Sequence, residues 1–419
     1  MFLIGKFFTG QTTITLLNVL AGFLFLRILP VDEYALYVVA SAILTIVSLC
    51  SDMGLSQGVN SIGSRLLGRP VEQESLYRSA LTQRKRLFLI VLFPALIVGS
   101  MMVHANEWLF ISILICMVIV FVTGWIQLPI NLRKSIFSVN RDIQSLFNVG
   151  LSEAMIRLVF LPICLIWPTA AAALLINLLG VGISVILVER KYKELLLSDT
   201  SKITNYRLQL RQFVIPLIPS VLYYAFQGQI STIILIWYGY TREIAEVGAL
   251  SRLGQLASLF IVLCPVFIQP VFAKVTDKKH FLLLLQRVLI LLTIFCSFSV
   301  LSSIVFPDLW LTLMGKNYAS LTRELPVAML GAMLNLTAAV IYTIIISRGS
   351  TKGQIWSAVI SLLVQSGYII SHGVHNTFDA LIVNVLPICG YLVIQILLLV
   401  RIVINWPITN DLEPDRIVL

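Results

Sequence analysis

The chain has 419 residues, of which 58% are hydrophobic and 12% are charged, and its mean hydropathy is +0.94. A water-soluble domain carries about 25% charged residues, so this composition excludes a soluble globular protein and indicates the bilayer as solvent. In lipid the backbone must satisfy its own hydrogen bonds, which leaves helices or a closed barrel. The apolar runs are continuous and about 20 residues long, as a membrane-crossing helix requires, rather than alternating segments of about 10 residues.

We therefore predict an all-α polytopic membrane protein with about 12 transmembrane helices. A polar segment in the middle of the chain divides it into an N-terminal six-helix lobe (1–195), a linker (196–212), a C-terminal six-helix lobe (213–405) and a tail (406–419). The predicted spans are 7–30, 34–56, 87–103, 108–128, 146–167, 169–188, 213–238, 246–270, 282–306, 325–347, 354–371 and 379–404.

The first two spans meet in the stretch LFLRILPVDEYALY, residues 24 to 37. Pro30 is expected to end the first helix, and Asp32 and Glu33 suit the positive start of the second. Arg27 precedes this turn on the last turn of a membrane helix. A turn does not explain it, and reaching out to lipid headgroups is the alternative to a binding role.

The distribution of positive charge predicts the orientation of the chain. Most of the 30 Lys and Arg residues fall in loops on one side, which the positive-inside rule assigns to the cytoplasm. Both termini are then cytoplasmic, and the basic loops need no nucleic-acid partner. The exceptions are Arg27, Arg242, Arg252, Lys316 and Arg323 on the outer side, and Arg157 inside a span.

The two halves of the chain resemble each other at their first hairpins. LPVDEYALYVVASAILTIVS at 29–48 matches GYTREIAEVGALSRLGQLASL at 239–259 in its turn, its acids and its apolar helix. An even number of spans in each half gives both halves the same orientation. This is the parallel-repeat plan of several transporter folds.

Polar stripes run along the first two helices of each half. Such residues at a spacing of three or four share one helix face, and in a membrane that face points at protein or water. We predict that the four faces line a hydrated central cavity, and hydrogen bonds between helices are the alternative. The stripes are Gln11, Thr15, Asn18 and Gly22; Tyr34, Tyr37, Ser41, Thr45, Ser48, Asp52 and Ser56; Ser220, Tyr224, Gln227 and Ser231; and, less regularly, Glu246 or Gly248, Arg252, Gln255 and Ser258 or Leu259. A further stripe, Ser357, Ser361, Gln365 and Tyr368, is either a second wall or a helix contact.

Charges inside the spans mark candidate sites. Arg27 and Arg252 fall in comparable regions of the two halves, and two guanidinium groups at one cavity would bind an anion such as a phosphate. Asp52 is a candidate for proton uptake or gating, with structural pairing as the alternative. Glu153 and Arg157 are spaced to neutralise each other on one helix, and Glu153 is a second candidate for coupling.

Several common chemistries have no signature here. The sequence has no GxxxxGK[ST], HExxH or GxSxG motif, and its six cysteines all lie in predicted spans without metal-ligand spacing. We expect no enzyme activity, no cofactor and no metal site.

Four stretches resemble a known group: RILPVDEYALYVVA, SDMGLSQGVNSIGSR, EIAEVGALSRLGQL and LWLTLMGKNYASLTRELPVAMLGAML. They are similar to the polysaccharide branch of the multidrug/oligosaccharidyl-lipid/polysaccharide (MOP) exporter superfamily, above all to Wzx-type O-antigen flippases. The resemblance implies a MATE-like pair of lobes, alternating access, and movement of undecaprenyl-diphosphate-linked oligosaccharide across the bacterial inner membrane. Lipid II flippases of the same superfamily use cavity arginines in helices 1 and 8. We predict 12 helices here, without the two additional C-terminal helices of those flippases, which argues against a lipid II role.

The resemblance gives the candidate residues their roles. The diphosphate is expected to bind Arg27 and Arg252, and the sugar hydroxyls are expected to meet polar stripe residues. Asp52, Glu153 and Arg157 are the candidates for coupling or gating, and a polysaccharide polymerase and a chain-length regulator are candidate partners. The alternatives are a cation-coupled MATE-type drug antiporter and a non-transporting scaffold. The stripe residues assigned to the sugar are Asn18, Tyr37, Ser41, Thr45, Ser48, Tyr224, Gln227 and Gln255.

Overall fold

A computed structural model describes residues 2–105, 108–140, 142–195, 206–348 and 353–406. Throughout these residues the regular structure is helical, which confirms the predicted all-α class. The helices are α1 (Phe2–Ile28), α2 (Val31–Asp52), α3 (Leu55–Ser64), α4 (Pro70–Ala105), α5 (Phe110–Val139), α6 (Ile143–Phe160), α7 (Ile163–Ile166), α8 (Ala170–Leu195), α9 (Arg207–Val214), α10 (Ile218–Gln227), α11 (Ile230–Tyr238), α12 (Thr241–Lys274), α13 (Lys278–Val305), α14 (Pro307–Met314), α15 (Glu324–Ser347), α16 (Gln354–His372) and α17 (Thr377–Ile404).

Within the described residues, 10 helical segments are long and apolar enough to cross a membrane, and each coincides with a predicted span. Of the other two predicted spans, 87–103 forms the second half of α4, whose last residues have side chains outside the described part. The described helices therefore confirm a polytopic protein.

The predicted span 213–238 is not one continuous helix, which corrects the sequence analysis. The chain passes from α9 through a 3₁₀ turn at Ile215–Leu217 into α10, and breaks again before α11. Pro216 and Pro219 cannot donate the backbone hydrogen bonds of a continuing helix. The second break falls at Gly228 and Gln229, and the glycine has a low intrinsic helix preference.

The first hairpin forms as predicted. α1 ends at Ile28, Pro30 stands at the start of α2, and Asp32 and Glu33 lie in its first turn. Glu33 also accepts a hydrogen bond from the backbone N–H of Ala170 at 2.7 Å, at the first residue of α8. One carboxylate therefore hydrogen-bonds the start of α8 and places its negative charge near the positive start of α2.

The predicted second span stops short of Ser56. α2 ends at Asp52, and Met53 and Gly54 follow with φ of 43° and 83°. This left-handed pair turns the chain into α3. Asp52 bridges the turn, because its carboxylate accepts a hydrogen bond from the Ser56 hydroxyl at 2.6 Å.

The chain divides into two compact units. Unit 1 comprises Met1–Arg252, Leu311–Leu321 and Val374–Ala380, and unit 2 comprises Leu253–Trp310, Thr322–Gly373 and Leu381–Leu419. In unit 1, α8 packs on α5 and α6, α2 packs on α4 and α5, and α1 packs on α6. In unit 2, α13 packs on α15. The division at 196–212 into two six-helix lobes stays a prediction, and residues 196–205 and 407–419 of its linker and tail lie outside the described residues.

The stripe on α16 is a helix contact within unit 2. Ser357, Ser361 and Gln365 are buried. The Ser361 hydroxyl donates to the carbonyl of Pro387 at 2.8 Å, and Gln365 Nε2 donates to the carbonyl of Val383 at 3.2 Å. Both acceptors belong to α17, so these residues join α16 to α17, the alternative that the sequence analysis left open.

Candidate functional site

Arg252 lies on α12 against two tyrosines of α2. Its Nε donates to the phenol oxygen of Tyr34 at 3.1 Å, and its guanidinium carbon lies 6.0 Å from the centre of the Tyr37 ring. Both tyrosines are buried, and their spacing of three residues places them on one face of α2. The Tyr37 ring attracts the cation through its π-electrons, and the Tyr34 phenol oxygen accepts a hydrogen bond from it, so Arg252 is held in place by neutral groups.

A fourth polar group completes this cluster. Asn177, on α8, donates from Nδ2 to the phenol oxygen of Tyr37 at 3.2 Å. Asn177 belongs to none of the predicted polar stripes, although a single amide in the apolar run AAAALLINLLG was a signal that could have identified it. We call Arg252, Tyr34, Tyr37 and Asn177 the arginine–tyrosine cluster.

Arg27 lies at the end of α1 and binds the end of a short helix in unit 1. Its Nε donates to the carbonyl of Leu313 at 3.0 Å, and Nη2 donates to the carbonyl of Thr312. Both carbonyls belong to the last turn of α14. Carbonyls in a last turn have no N–H partner within the helix, and the helix dipole is negative there, so a cation is favourable at this position. The side chain of Arg27 remains exposed.

The start of α12 is anchored by Glu246. Its two carboxylate oxygens accept from Arg242 Nε at 3.0 Å and from the Thr377 hydroxyl at 2.5 Å. Two residues further along, α12 approaches α2 closely: a Cβ placed on Gly248 would lie 3.2 Å from Cβ of Val38 and would overlap its methyl groups. Only glycine permits this approach.

The remaining stripe residues of α2 are not engaged in the same way. Ser41 and Ser48 are half-buried and Thr45 is exposed, and the Thr45 hydroxyl donates to the carbonyl of Ser41 on its own helix at 2.8 Å. Serine and threonine commonly satisfy themselves in this manner on a helix. Their side chains are therefore available on the surface of α2 rather than committed to a neighbouring helix.

Three further predicted residues lie on the later helices. Gln227 ends α10 and Gln255 lies on α12, and both are half-buried. Tyr224 lies on α10, but its side chain falls outside the described part of the structure.

Asn18, predicted to contact the sugar, joins a charged cluster within unit 1. Arg157 Nη1 donates to its side-chain oxygen at 3.0 Å, and Arg157 Nη2 binds Glu153 at 2.5 Å. Lys134, on α5, lies 3.8 Å from the other oxygen of Glu153. The expected pair on α6 is present, and it is extended by α1 and α5 so that one carboxylate serves two cations.

Asp52 pairs with a cation that the sequence analysis placed in a cytoplasmic loop. Arg84 Nη1 lies 3.3 Å from Asp52 Oδ1 and 3.2 Å from the carbonyl of Leu128. The Arg84 side chain is 1% exposed. Structural pairing, the alternative given for Asp52, is therefore present.

The predicted cytoplasmic end of unit 1 carries an aromatic–cation network. The Arg133 guanidinium carbon lies 5.4 Å from the Tyr77 ring centre and 4.9 Å from that of Tyr192. Burial raises the pKa of the Tyr77 phenol, and the nearby Arg133 offsets part of that rise. Tyr77 is therefore neutral at physiological pH and acts as a ring surface for the cation.

No family model and no curated protein matches this sequence. Solved structures match the fold along nearly the whole chain. Lipid II flippase MurJ in an inward closed conformation has a TM-score of 0.71 at 13% identity, covering 95% of this chain and 87% of that one. An inward-facing multidrug resistance MATE family transporter of the MOP superfamily has a TM-score of 0.68 at 14% identity, covering 93% and 94%.

A third match is a mutant of the Vibrio cholerae MATE transporter VcmN, with a TM-score of 0.58 at 13% identity over 95% of this chain and 97% of that one. Identities this low establish the fold alone. The chain thus has the MOP/MATE-like polytopic fold that the sequence analysis predicted.

Proposed function

We propose that this protein is a flippase. It moves undecaprenyl-diphosphate-linked O-antigen units, or related polysaccharide units, from the cytoplasmic to the periplasmic leaflet of a bacterial inner membrane by alternating access. The proposal is supported by the likeness in fold to a lipid II flippase and by the arginine–tyrosine cluster.

The observation that carries the proposal is the environment of Arg252. Among the described residues its contacts are phenols, which carry no charge at neutral pH and leave the positive charge of the guanidinium unbalanced. A cation held in this way within a membrane helix is costly unless an anion is brought to it. A diphosphate suits the planar donor array of the guanidinium.

The substrate is proposed to bind in parts. The diphosphate lies at Arg252 and Arg27, and the sugar hydroxyls meet the exposed or half-buried side chains of Ser41, Thr45 and Gln255 together with Asn18, Tyr37, Ser48, Tyr224 and Gln227. The polyprenyl tail stays in the bilayer. A polymerase and a chain-length regulator are proposed to receive the product.

Asp52 and Glu153 are proposed to couple transport to cation movement. Each carboxylate is shared between several donors, and adding a proton to it would release a paired arginine. Such a release changes the packing of α2 on α4, or of α6 on α1 and α5.

A MATE-type antiporter for cationic drugs is the second candidate, and the likeness to MATE transporters favours it. A cationic drug needs a carboxylate that is free to pair with it. Asp52, Glu153 and Glu246 all contact arginines of the protein itself, at 3.3, 2.5 and 3.0 Å. This arrangement supports an anionic substrate over a cationic one.

The test is complementation of a flippase-null strain, with surface polysaccharide as the readout at equal protein level. We expect Arg252→Ala to abolish complementation, Arg252→Lys to retain part of it, and Arg27→Ala to reduce it. Arg323→Ala, an exposed arginine on the same predicted face, is the matched control and should complement fully.

Full restoration by Arg27→Ala and Arg252→Ala, alone and together, would contradict the anion site. Failure of the wild-type chain to restore polysaccharide, combined with resistance to toxic cations in an efflux-deficient strain, would support the antiporter instead.

A further inference from the structure

The segment 311–318 in unit 1 covers the hairpin between α1 and α2. It comprises the end of α14 and the 3₁₀ turn Lys316–Tyr318. Tyr318 is 1% exposed and meets Tyr34 edge-on, with ring centres 6.3 Å apart. Tyr34 is also the residue that accepts from Arg252. The segment therefore touches both arginine sites, Arg27 directly and Arg252 through Tyr34.

The carbonyls of Thr312 and Leu313 present a negative helix end to Arg27. They accept from two different nitrogens of the guanidinium, in the forked manner in which that group binds a carboxylate or a phosphate. The side chain of Arg27 is exposed at the same time, so an anion can reach it without prior rearrangement.

We propose that Arg27 is a ligand-operated latch. In the state described here it holds the 311–318 segment on the α1–α2 hairpin. A diphosphate competes with the two peptide carbonyls for the same donors, and its full negative charge exceeds the partial charge of a helix end. Binding therefore releases the segment. This inference rests on the proposed function, which places a diphosphate at Arg27.

The latch would explain how release of the 311–318 segment from the α1–α2 hairpin depends on substrate. A carrier without substrate keeps the segment closed, because the carbonyls are always present at high effective concentration. A loaded carrier loses that contact at the moment the diphosphate arrives. The ligand shifts the equilibrium only because it binds the open state better than the closed one.

The experiment is amide hydrogen exchange of the full-length protein in nanodiscs, read by mass spectrometry over 311–321, where Gly315 N–H bonds to Leu311 at 3.0 Å and Tyr318 N–H bonds to Gly315 at 3.2 Å. The probes are inorganic pyrophosphate, representing a free diphosphate, and farnesyl diphosphate, representing a lipid-linked one. Binding of each probe is measured separately by calorimetry.

In the wild-type protein we expect a bound diphosphate to raise exchange in this segment about five-fold, the effect of losing one net hydrogen bond. Arg27→Gln should give the raised rate without a probe and no further response. Arg323→Ala is the control and should respond like the wild type. An equal response to both probes identifies the diphosphate as sufficient, and a response to farnesyl diphosphate alone identifies a lipid-linked ligand.

The latch is overturned if at least one probe binds and no bound probe raises exchange in 311–321, or if Arg27→Gln leaves the basal rate unchanged. The anion site of the proposed function survives that result, because binding has been measured. If neither probe binds, both the anion site and the latch are excluded. The complementation assay then tests the proposed function independently.

Discussion

Arg84 and Asp52 show what a single buried charge requires. Arg84 has 1% of its side chain exposed, against 19% for Asp52, and their closest atoms are 3.3 Å apart. The energetic cost of burying a guanidinium is offset only while the carboxylate is ionised and close. The sequence marked Asp52 as notable because it lies in a polar stripe. It did not indicate Arg84, since the run RKR at 84–86 looks like ordinary loop charge.

We predict that Asp52→Asn destabilises the protein by about 3–5 kcal/mol, because it leaves Arg84 buried and unpaired. Thermal unfolding in detergent at fixed pH measures the effect as a lower Tm. The double variant Asp52→Asn with Arg84→Met should recover most of the loss, since it removes both charges.

Lys85, the next residue along the chain, provides the matched control for this pair. Lys85→Met removes a neighbouring cation and should leave Tm near the wild-type value. If Asp52→Asn and Lys85→Met lower Tm equally, the buried pair does not stabilise the fold.

Glu153 illustrates the limit of spacing rules. The spacing of four residues predicted its pair with Arg157, and the structure contains that pair. The same rule is silent on Lys134 and Asn18, which come from α5 and α1 and reach the pair only through helix packing. The spacing of residues along one helix determines which of its side chains are neighbours. Contacts among side chains of three helices depend also on how those helices are rotated relative to one another.

At the scale of elements, a proline inside a helix leaves one backbone carbonyl without its usual donor, and a polar side chain of a neighbouring helix can bind that carbonyl. Pro387 lies inside α17 and cannot donate to the carbonyl four residues earlier, that of Val383. In a membrane that carbonyl has no water to bind. Gln365 of α16 donates to it at 3.2 Å. The sequence showed the proline and the polar stripe separately, but only the register between the two helices joins them.

We predict that Gln365→Leu costs about 1–3 kcal/mol, the penalty of a buried acceptor left without a partner. In a Pro387→Ala background the new N–H at position 387 can serve Val383, so the same change should cost much less. Tm values of the four proteins form a double-mutant cycle that measures this coupling.

The control for this cycle is Gln354→Leu. Gln354 also joins α16 to α17, through Gln395 at 2.6 Å, but does not contact the proline region. Its cost should be the same with and without Pro387. If the cost of Gln365→Leu is also the same with and without Pro387, then Gln365 does not compensate for the hydrogen bond that the proline cannot donate.

The broken span before α12 is a second case at this scale. Apolar content alone favoured one helix over 213–238, and the two prolines at 216 and 219 are a signal for the first break. The break at Gly228 and Gln229 carried a weaker signal, because isolated glycines are frequent in membrane helices. Hydropathy reports that a segment enters the membrane and not how often its helix is interrupted.

At the scale of the whole molecule, the hydropathy pattern was sufficient for the polytopic fold, because the bilayer allows so few alternatives. The orientation from the charge bias and the parallel repeat stay predictions, although the two matching stretches do contain the starts of α2 at Val31 and α12 at Thr241. The candidate site was harder to predict from the sequence than the fold. Arg252 and Tyr37 were identified as candidates, but their contact depends on α2 and α12 packing side by side in unit 1.

The contact between Val38 and Gly248 makes that packing testable. These residues belong to different predicted lobes, and the alternating access proposed above requires that the two helix ends separate during each cycle. Cβ of Val38 lies 3.2 Å from the Cβ position of Gly248, slightly shorter than the 3.5–4.5 Å typical of disulfides. The pair Val38→Cys and Gly248→Cys, on a background without the native cysteines, should therefore cross-link on mild oxidation.

We predict that the Val38–Gly248 cross-link abolishes complementation in the flippase assay and that a reductant restores it, because the bond holds α2 on α12. Gly331→Cys with Val385→Cys is the matched control: the Cβ position of Gly331 lies 4.0 Å from Cβ of Val385, and the bond would join α15 to α17 inside unit 2. That cross-link should form equally well and leave transport intact, since Gly331 and Val385 both belong to the predicted C-terminal lobe, whereas Val38 and Gly248 belong to different predicted lobes. Transport that persists with the first bond closed would mean that α2 and α12 stay together throughout the cycle, and the substrate would then have to cross elsewhere.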